Sequence, residues 1–226
     1  MIALEGIERV FQVGGEEVHA LRGVTLSIAA GEYVSIMGPS GSGKSSLLNV
    51  VGLLDRPDAG RYVLDGRDVT SLTDDERALA RRDRLGFVFQ FFHLVPRLTA
   101  AENVELPMTL AGISPEVRQA RVKEALARYG LEARAGHKPS ELSGGQCQRV
   151  AIARALIMQP RVILADEPTG NLDRRSGQDV MAMLEDAQRQ GAVLILVTHD
   201  PDVGARARRR LRLVDGAIVS DERSPA

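Results

Sequence analysis

"YVSIMGPSGSGKSSLLNVV", Tyr33 to Val51, joins three patterns in one stretch. Tyr33–Met37 is a short apolar run without alternation, as in a strand covered on both faces. Gly38–Ser45, "GPSGSGKS", fits the spacing G-x-x-x-x-G-K-[ST]. The residues that follow, "SSLLNVVGLL", read as a helix. A strand, a glycine loop and a helix in that order make a phosphate cradle. Glycines let successive backbone N–H groups turn toward phosphate oxygens, and the positive end of the helix lies behind the anion. Gly38, Pro39, Ser40, Gly41, Ser42, Gly43, Lys44, Ser45 and Ser46 are therefore expected to bind nucleotide phosphates. Lys44 would reach the β/γ-phosphates and Ser45 would give its hydroxyl to Mg²⁺.

Three further apolar runs share this pattern: Phe87–Phe89, Val162–Ala165 and Ala192–Val197. Each of the four ends in polar or glycine residues: Gly38, Gln90, Asp166-Glu167 and Thr198-His199-Asp200. Ligands of open α/β sheets bind beyond the carboxyl ends of the strands, so one edge is expected to collect the chemistry. Asp166 is placed as a second Mg²⁺ anchor. Glu167 diverges from it and suits the polarisation of an attacking water, although an acidic, solvated strand end is the plainer alternative. Gln90 fits as a Mg²⁺ ligand or a water-positioning amide. His199 fits a contact to a γ-phosphate, against a merely structural role.

Elsewhere the pattern changes. Residues 1–32 alternate with period two, which suggests antiparallel strands, and Asp65-Gly66 signals a hairpin. Phe11 is expected in a loop between these strands, either stacking on a base or filling core. Thr73/Glu76 and Thr99/Glu102 are capping boxes, and Ser114-Pro115 reads as an N-cap with proline behind it. Thr99–Leu142 reads as helical, with Gly130 closing one helix, so residues 91–145 are expected as a helical subdomain inserted into a core of residues 1–90 and 146–226. A second cradle follows in "LSGGQCQRVAIARALIMQP", Leu142–Pro160. Ser143, Gly144 and Gly145 open a helix with exposed N–H groups but bring neither lysine nor metal ligand. They read as a half-site.

Composition narrows the functional classes. The 226 residues are 44% hydrophobic and 26% charged, and the formal net charge of −1 argues against nucleic acid as a partner. Lysine occurs only at Lys44, Lys123 and Lys138, arginine supplying the other cations. The basic stretch Ala205–Leu213 reads as a solvated face beside an edge strand. Met1–Val10 looks like a strand and not like a signal peptide, and runs such as Ala192–Val197 are far short of a membrane span. The one cysteine, Cys147, permits no internal disulfide. A cytoplasmic chain that does any membrane work through other chains is expected.

Taken in order, "GPSGSGKS", "FVFQ", "LSGGQCQR", "VILADEPTGNLD" and "VTHD" resemble the motifs of ABC-transporter ATPase subunits: Walker A, Q-loop, signature, Walker B with D-loop, and H-loop. The likeness covers essentially the whole chain. "FFHLVPRLTAAENVELPM" and "LADEPTGNLD" look like the lipoprotein-releasing, macrolide-export and cell-division branch (LolD/MacB/FtsE type). The resemblance implies an α/β P-loop ATPase with an N-terminal antiparallel β-subdomain, a mixed or parallel core sheet and an inserted helical subdomain. It implies ATP and Mg²⁺ as cofactors, with Glu167, His199 and Lys44 at the reaction and Ser45, Gln90 and Asp166 around the metal. It gives Phe11 an adenine-stacking role where tyrosine is common. It adds Ser143, Gly144, Gly145, Gln146 and Asp173 to the nucleotide contacts. Two copies are implied to face head to tail around ATP, each signature closing over the other copy's Walker A, on a membrane permease at the cytoplasmic face. Cys147 stands where glutamine is usual, either as a tolerated small residue or as a reactive thiol. A soluble ABC protein of DNA or translation, or a recruitment factor in cell division, is the rival reading.

Overall fold

In the computed structural model, which describes residues 1–224, ten strands and seven α-helices follow one another. They are β1 (Ile2–Val13), β2 (Glu16–Ile28), β3 (Tyr33–Met37), α1 (Lys44–Val51), β4 (Ala59–Leu64), β5 (Arg67–Asp68), α2 (Asp74–Arg84), β6 (Leu85–Phe89), α3 (Ala100–Leu110), α4 (Pro115–Arg128), α5 (Gly144–Leu156), β7 (Val162–Asp166), α6 (Arg174–Arg189), β8 (Val193–Val197), α7 (Pro201–Gly204), β9 (Arg209–Val214) and β10 (Ala217–Arg223).

The alternating N-terminal residues form an antiparallel sheet in the order β2-β1-β4-β5. The Asp65-Gly66 turn joining β4 to β5 has positive φ at both residues, 54° and 79°, the geometry of a tight hairpin. Phe11 does not lie in a loop. It sits in β1 opposite Val18. The register of β1 against β2 shifts between Leu4 and Ile7, Ile7 and Arg9, and Arg9 and Val10. Those irregularities break the period-two pattern and hide the last third of the strand from a pattern search.

The second sheet has the order β10-β9-β3-β8-β7-β6. The four junctions from β9 to β6 are parallel, and only β10 runs antiparallel, at the edge. Val162, Ile163, Leu164 and Ala165 are all fully buried, as are Val193 to Val197, because helices cover both faces. The basic stretch is a solvated face beside the edge strand β10 only in part: Arg206, Arg208 and Arg212 are exposed, and Arg209 is the exception. β9 lies inside the sheet, and Arg209 is buried, donating to Asp221 at 2.7 and 2.8 Å, to Glu32 at 3.2 Å and to the Ser27 carbonyl at 2.7 Å. A buried guanidinium keeps its charge when its donors are met in this way.

Both threonine capping boxes close as the sequence suggests, starting α2 and α3. Ser114 precedes α4 without a side-chain cap bond, leaving Pro115 at the first position to set the start. Gly130, at φ 64°, lies two residues beyond the end of α4. The helical lobe has its own core of Ala100, Val104, Met108, Val122 and Leu126, completed by Val150 and Ala153 of α5 and by Ile157 just past its end. On another side of α5, Ile152 packs with Val88, Ile163 and Ala165 of the parallel sheet. α5 is therefore common to both bodies, and residue 145 lies within its first turn. Among the described residues no helix is long and apolar enough to cross a membrane.

The phosphate loop is seated between the two sheets. A Cβ on Gly38 would lie 2.0 Å from the Leu213 carbonyl oxygen of β9, and a Cβ on Gly43 would lie 2.2 Å from the Ala20 carbonyl oxygen of β2. Gly41 also has positive φ, 78°, but its Cβ would meet no atom within 4 Å. Gly43→Ala should therefore cost about 2 kcal/mol or more, through both strain and collision, and Gly41→Ala only about 1 kcal/mol. Thermal melting should show a fall of about 4–8 °C for Gly43→Ala and a clearly smaller one for Gly41→Ala. Equal shifts would contradict the seating of the loop.

Candidate active site

The parallel strands deliver their carboxyl ends to one edge, where the loop Gly38–Gly43 leads into α1. Lys44 Nζ donates to the carbonyls of Gly38 at 2.9 Å and Pro39 at 2.7 Å, so its ammonium is held at the mouth of the loop. The Ser42 hydroxyl is buried and has no partner among the described residues. A buried unsatisfied hydroxyl, a lysine and the N-terminus of α1 thus belong to one short loop. That is the donor set a polyphosphate needs. Pro39, Ser40 and Gly41 are exposed on its outer side, and Ser46 is half-buried in the first turn of α1.

Asp166 and Glu167 separate, as adjacent residues at a strand end do. Ser45 Oγ donates to Asp166 Oδ2 at 3.3 Å, bridging α1 and β7. Burial pushes the Asp166 carboxyl above the ordinary carboxylate range, and the Ser45 hydroxyl opposes that shift. Glu167 turns away in left-handed backbone, φ 46°, a conformation costing a non-glycine residue about 1 kcal/mol. Its Oε1 accepts from the His199 backbone N–H at 2.8 Å and from His199 Nδ1 at 2.7 Å, and its Oε2 accepts from Thr198 Oγ1 at 3.2 Å. The Glu167 side chain is only 16% exposed, whereas the His199 side chain is 75% exposed and can meet a ligand. With Nδ1 donating, the other ring nitrogen points away from the carboxylate. The two neighbouring carboxylates thus have separate partners, Asp166 on the α1 side and Glu167 on the β8 side.

Gln90 ends β6. Its Nε2 donates to Asn171 Oδ1 at 3.3 Å, and Asn171 Nδ2 returns a bond to the Gln90 carbonyl at 3.1 Å. Gln148, buried in α5, ties the same two segments by donating to the carbonyls of Phe89 and Pro168. Sequence reasoning missed Thr198, Asn171 and Gln148 as supports of the site. Thr198 alone left a signal, at the polar end of its apolar run.

The glycine-rich start of α5 stands apart. Ser143 and Gln146 form a reciprocal capping box, with bonds of 3.3 and 2.9 Å. Cβ atoms added at Gly144 and Gly145 would meet Phe92, Asn171, Leu172 and Ser176, none of them in the phosphate loop. Asp173 caps α6, accepting from the N–H groups of Arg175 and Ser176 and from the Ser176 hydroxyl. The two cradles are thus not brought together within one chain. Cys147 is buried, and burial pushes its thiol up, which disfavours the reactive thiolate and favours its reading as a tolerated small residue. Phe11 lies under the Arg9 guanidinium, whose Cζ is 4.4 Å from the ring centroid.

Fold and site together define a P-loop nucleoside triphosphatase cassette. Residues 21–170 match the family model described as ABC transporter, and the chain belongs to that family. It is 52% identical over 221 residues to the macrolide export ATP-binding/permease protein MacB of Marinobacter nauticus, covering 98% of this chain and 34% of that protein. It is 50% identical over 223 residues to the ABC transporter ATP-binding protein YvrO of Bacillus subtilis, covering 99% and 97% of the two chains. The chain thus spans about a third of the length of the export protein and nearly all of YvrO. The ATP-binding cassette MJ0796, solved as a dimer in a post-hydrolysis state bound to ADP and Pi, superposes with a TM-score of 0.93 at 45% identity over the full length of both chains.

The Asp166 carboxyl generates a prediction with a definite sign. Its folded pKa stands above its unfolded value. Its contribution to stability is therefore fully present below about pH 4 and is lost as pH rises through the folded value. Asp166→Asn should raise the melting temperature at pH 7.5 by about 1–3 °C while lowering ATP hydrolysis about 100-fold or more. A variant both less stable and fully active would contradict the placement.

Proposed function

We propose that this cassette is the motor subunit of an export, lipoprotein-release or mechanotransmission ABC transporter, working as a pair of copies that enclose ATP. The observation that carries the reading is the separation of the two cradles: the phosphate loop has the lysine and the metal-side residues, and the start of α5 faces the segment Asn171–Ser176. A second copy placed head to tail supplies each phosphate loop with the missing Ser143–Gln146 cap and brings Asp173 to the interface. The dimeric state of MJ0796 supports this pairing.

Within each site the roles follow from the bonds described. Lys44, Ser42 and the loop N–H groups hold the β- and γ-phosphates. Phe11 supplies the adenine platform, since its partner Val18 lies two residues from Ala20, whose carbonyl touches Gly43; that is about 7 Å along β2. Ser45, Asp166 and the Gln90 amide oxygen offer a hydroxyl, a carboxylate and an amide. These hard oxygen donors suit Mg²⁺, which keeps few protein ligands and binds substrate phosphates and waters as well. Bound there, Mg²⁺ would neutralise charge on the transferred phosphate. Glu167, oriented by Thr198 and His199, is the base that orders and deprotonates the attacking water, and His199 contacts the γ-phosphate.

The partner surface lies just after Gln90. Phe92 and His93 have positive φ, 60° and 47°, and Arg154 holds both their carbonyls. This leaves the Phe91 side chain 69% exposed. An apolar side chain presented by a braced loop is a docking feature, and we assign it to a permease at the cytoplasmic membrane face.

Glu167→Gln should retain ATP binding, slow hydrolysis by about 10²–10⁴ and accumulate a dimer in ATP on size-exclusion chromatography. Hydrolysis at the wild-type rate would remove Glu167 from its role. Heterodimers separate a shared site from a self-contained one. With Lys44→Ala on one chain and Ser143→Arg on the other, one shared site stays intact and activity persists. With both changes on one chain, both shared sites are damaged and activity is lost. The reverse pattern would refute the head-to-tail pairing.

A further inference from the structure

Arg9 is held more tightly than any surface cation near the nucleotide edge needs to be. Its Nε and Nη2 donate to the two oxygens of Asp55 at 3.3 and 3.0 Å, and its Nη1 donates to both oxygens of Asp58 at 3.0 and 3.1 Å. Asp58 in turn accepts from the Val10 backbone N–H at 2.7 Å. That bond, with Arg9 second, holds the Asp58 carboxyl below the ordinary range. A forked pair to Asp55 and a second carboxylate on Nη1 fix the plane of the guanidinium as well as its position. The plane lies on the face of Phe11, 4.4 Å from the ring centroid.

The acids that hold Arg9 belong to the segment leaving the phosphate-loop helix. The N–H groups of Leu54 and Asp55 both donate to the Asn49 carbonyl of α1, at 2.9 and 3.1 Å, and the Asp58 N–H donates to the Glu8 carbonyl of β1 at 2.9 Å. A continuous path therefore runs from α1, which starts at Lys44, through Asp55 and Asp58 to Arg9 and so to the ring of Phe11. The neighbouring side chains do not account for so rigid a clamp by packing alone: Phe11 is only half-buried, near the tip of a two-stranded hairpin. A lone aromatic ring in that position has rotamer freedom to lose when a base stacks on it. With one face covered by a fixed cation, the ring offers only its other face.

We propose that Arg9 is a positioning residue for nucleotide binding: clamped by Asp55 and Asp58, it backs the Phe11 ring and sets that ring at a fixed distance from the phosphate loop, so that adenine meets a pre-formed platform. The inference rests on the assignment of Phe11 as the adenine platform. Arg9 does not touch the nucleotide. Its effect is confined to ligands that carry a base.

Competition binding separates this from general support of the fold. The probes are ATP and inorganic tripolyphosphate, each with the wild-type chain, Arg9→Ala, Arg9→Lys, Phe11→Ala and the Arg9→Ala/Phe11→Ala double variant. Arg9→Ala should weaken ATP about three- to tenfold, in the range of a cation–aromatic contact plus lost ordering, and leave tripolyphosphate affinity unchanged. Arg9→Lys keeps the charge but loses the fork, and should recover only part of the loss. The double variant should bind ATP no more weakly than Phe11→Ala, because Arg9 acts through the ring. Additive losses, or an equal loss for tripolyphosphate, would overturn the proposal even with Phe11 confirmed as the platform. If Phe11→Ala binds ATP like the wild type, the platform assignment itself fails, and the Arg9 proposal falls with it. Should Arg9→Ala fail to fold, Asp58→Asn serves in its place. It keeps the shape of the acid and removes the charge, and the same ATP-selective loss is expected.

Discussion

The position of the phosphate loop is set by two contacts that only glycine permits. At Gly38 the backbone passes the Leu213 carbonyl of β9, and at Gly43 it passes the Ala20 carbonyl of β2. One strand belongs to the parallel sheet and the other to the antiparallel sheet, so the loop lies wedged between them. Most of the site inherits its coordinates from that wedge. α1 starts where the loop leaves it and places Ser45 against Asp166. β2, paired with β1, places Phe11 on the same side. A side chain at either glycine would displace the two sheets relative to each other, and with them Phe11 and Asp166.

The chemistry of the edge depends on keeping two carboxylates apart. Asp166 continues the extended line of β7 and meets the Ser45 hydroxyl. Glu167 takes up left-handed backbone and meets the end of β8 through Thr198 and His199. Like charges on adjacent residues can keep separate functions only if each is solvated by its own partners. The strained φ at Glu167 is the geometric means of that separation. Strain of this kind persists where the surroundings over-determine it, and three hydrogen bonds to one carboxylate do so here.

Much of this was legible in the sequence, for physical reasons that differ by element. The parallel strands are buried on both faces, so Val162–Ala165 and Ala192–Val197 stand out as unbroken apolar runs. Capping boxes act within four residues, and Thr73/Glu76 and Thr99/Glu102 could be read without tertiary context. The five motifs reveal the ATPase family because phosphate binding constrains backbone as well as side chains. What stayed hidden was set by long-range pairing. Phe11 falls in β1 only because a bulged register against β2 carries the strand that far. Arg209 looks like one solvated arginine among several until Glu32, Asp221 and the Ser27 carbonyl, far apart in the chain, are brought around it. The bonds from Gln148 to Phe89 and Pro168 join three segments at once and leave no local pattern.

α5 completes the hydrophobic core of the helical lobe and also covers the parallel sheet, with Val150 and Ala153 on one side and Ile152 on the other. A rod embedded in two bodies acts as an axle: the bodies can turn about it, but neither can slide along it without tearing out side chains packed at solid density. Its forward tip is the Ser143 cap, and just behind that tip Gln148 is bolted to the strand end beside Gln90. The loop at Phe91 is fastened to the same rod, through the bonds from Arg154 to the Phe92 and His93 carbonyls, so the loop, the strand end and the tip are joined as one stiff piece.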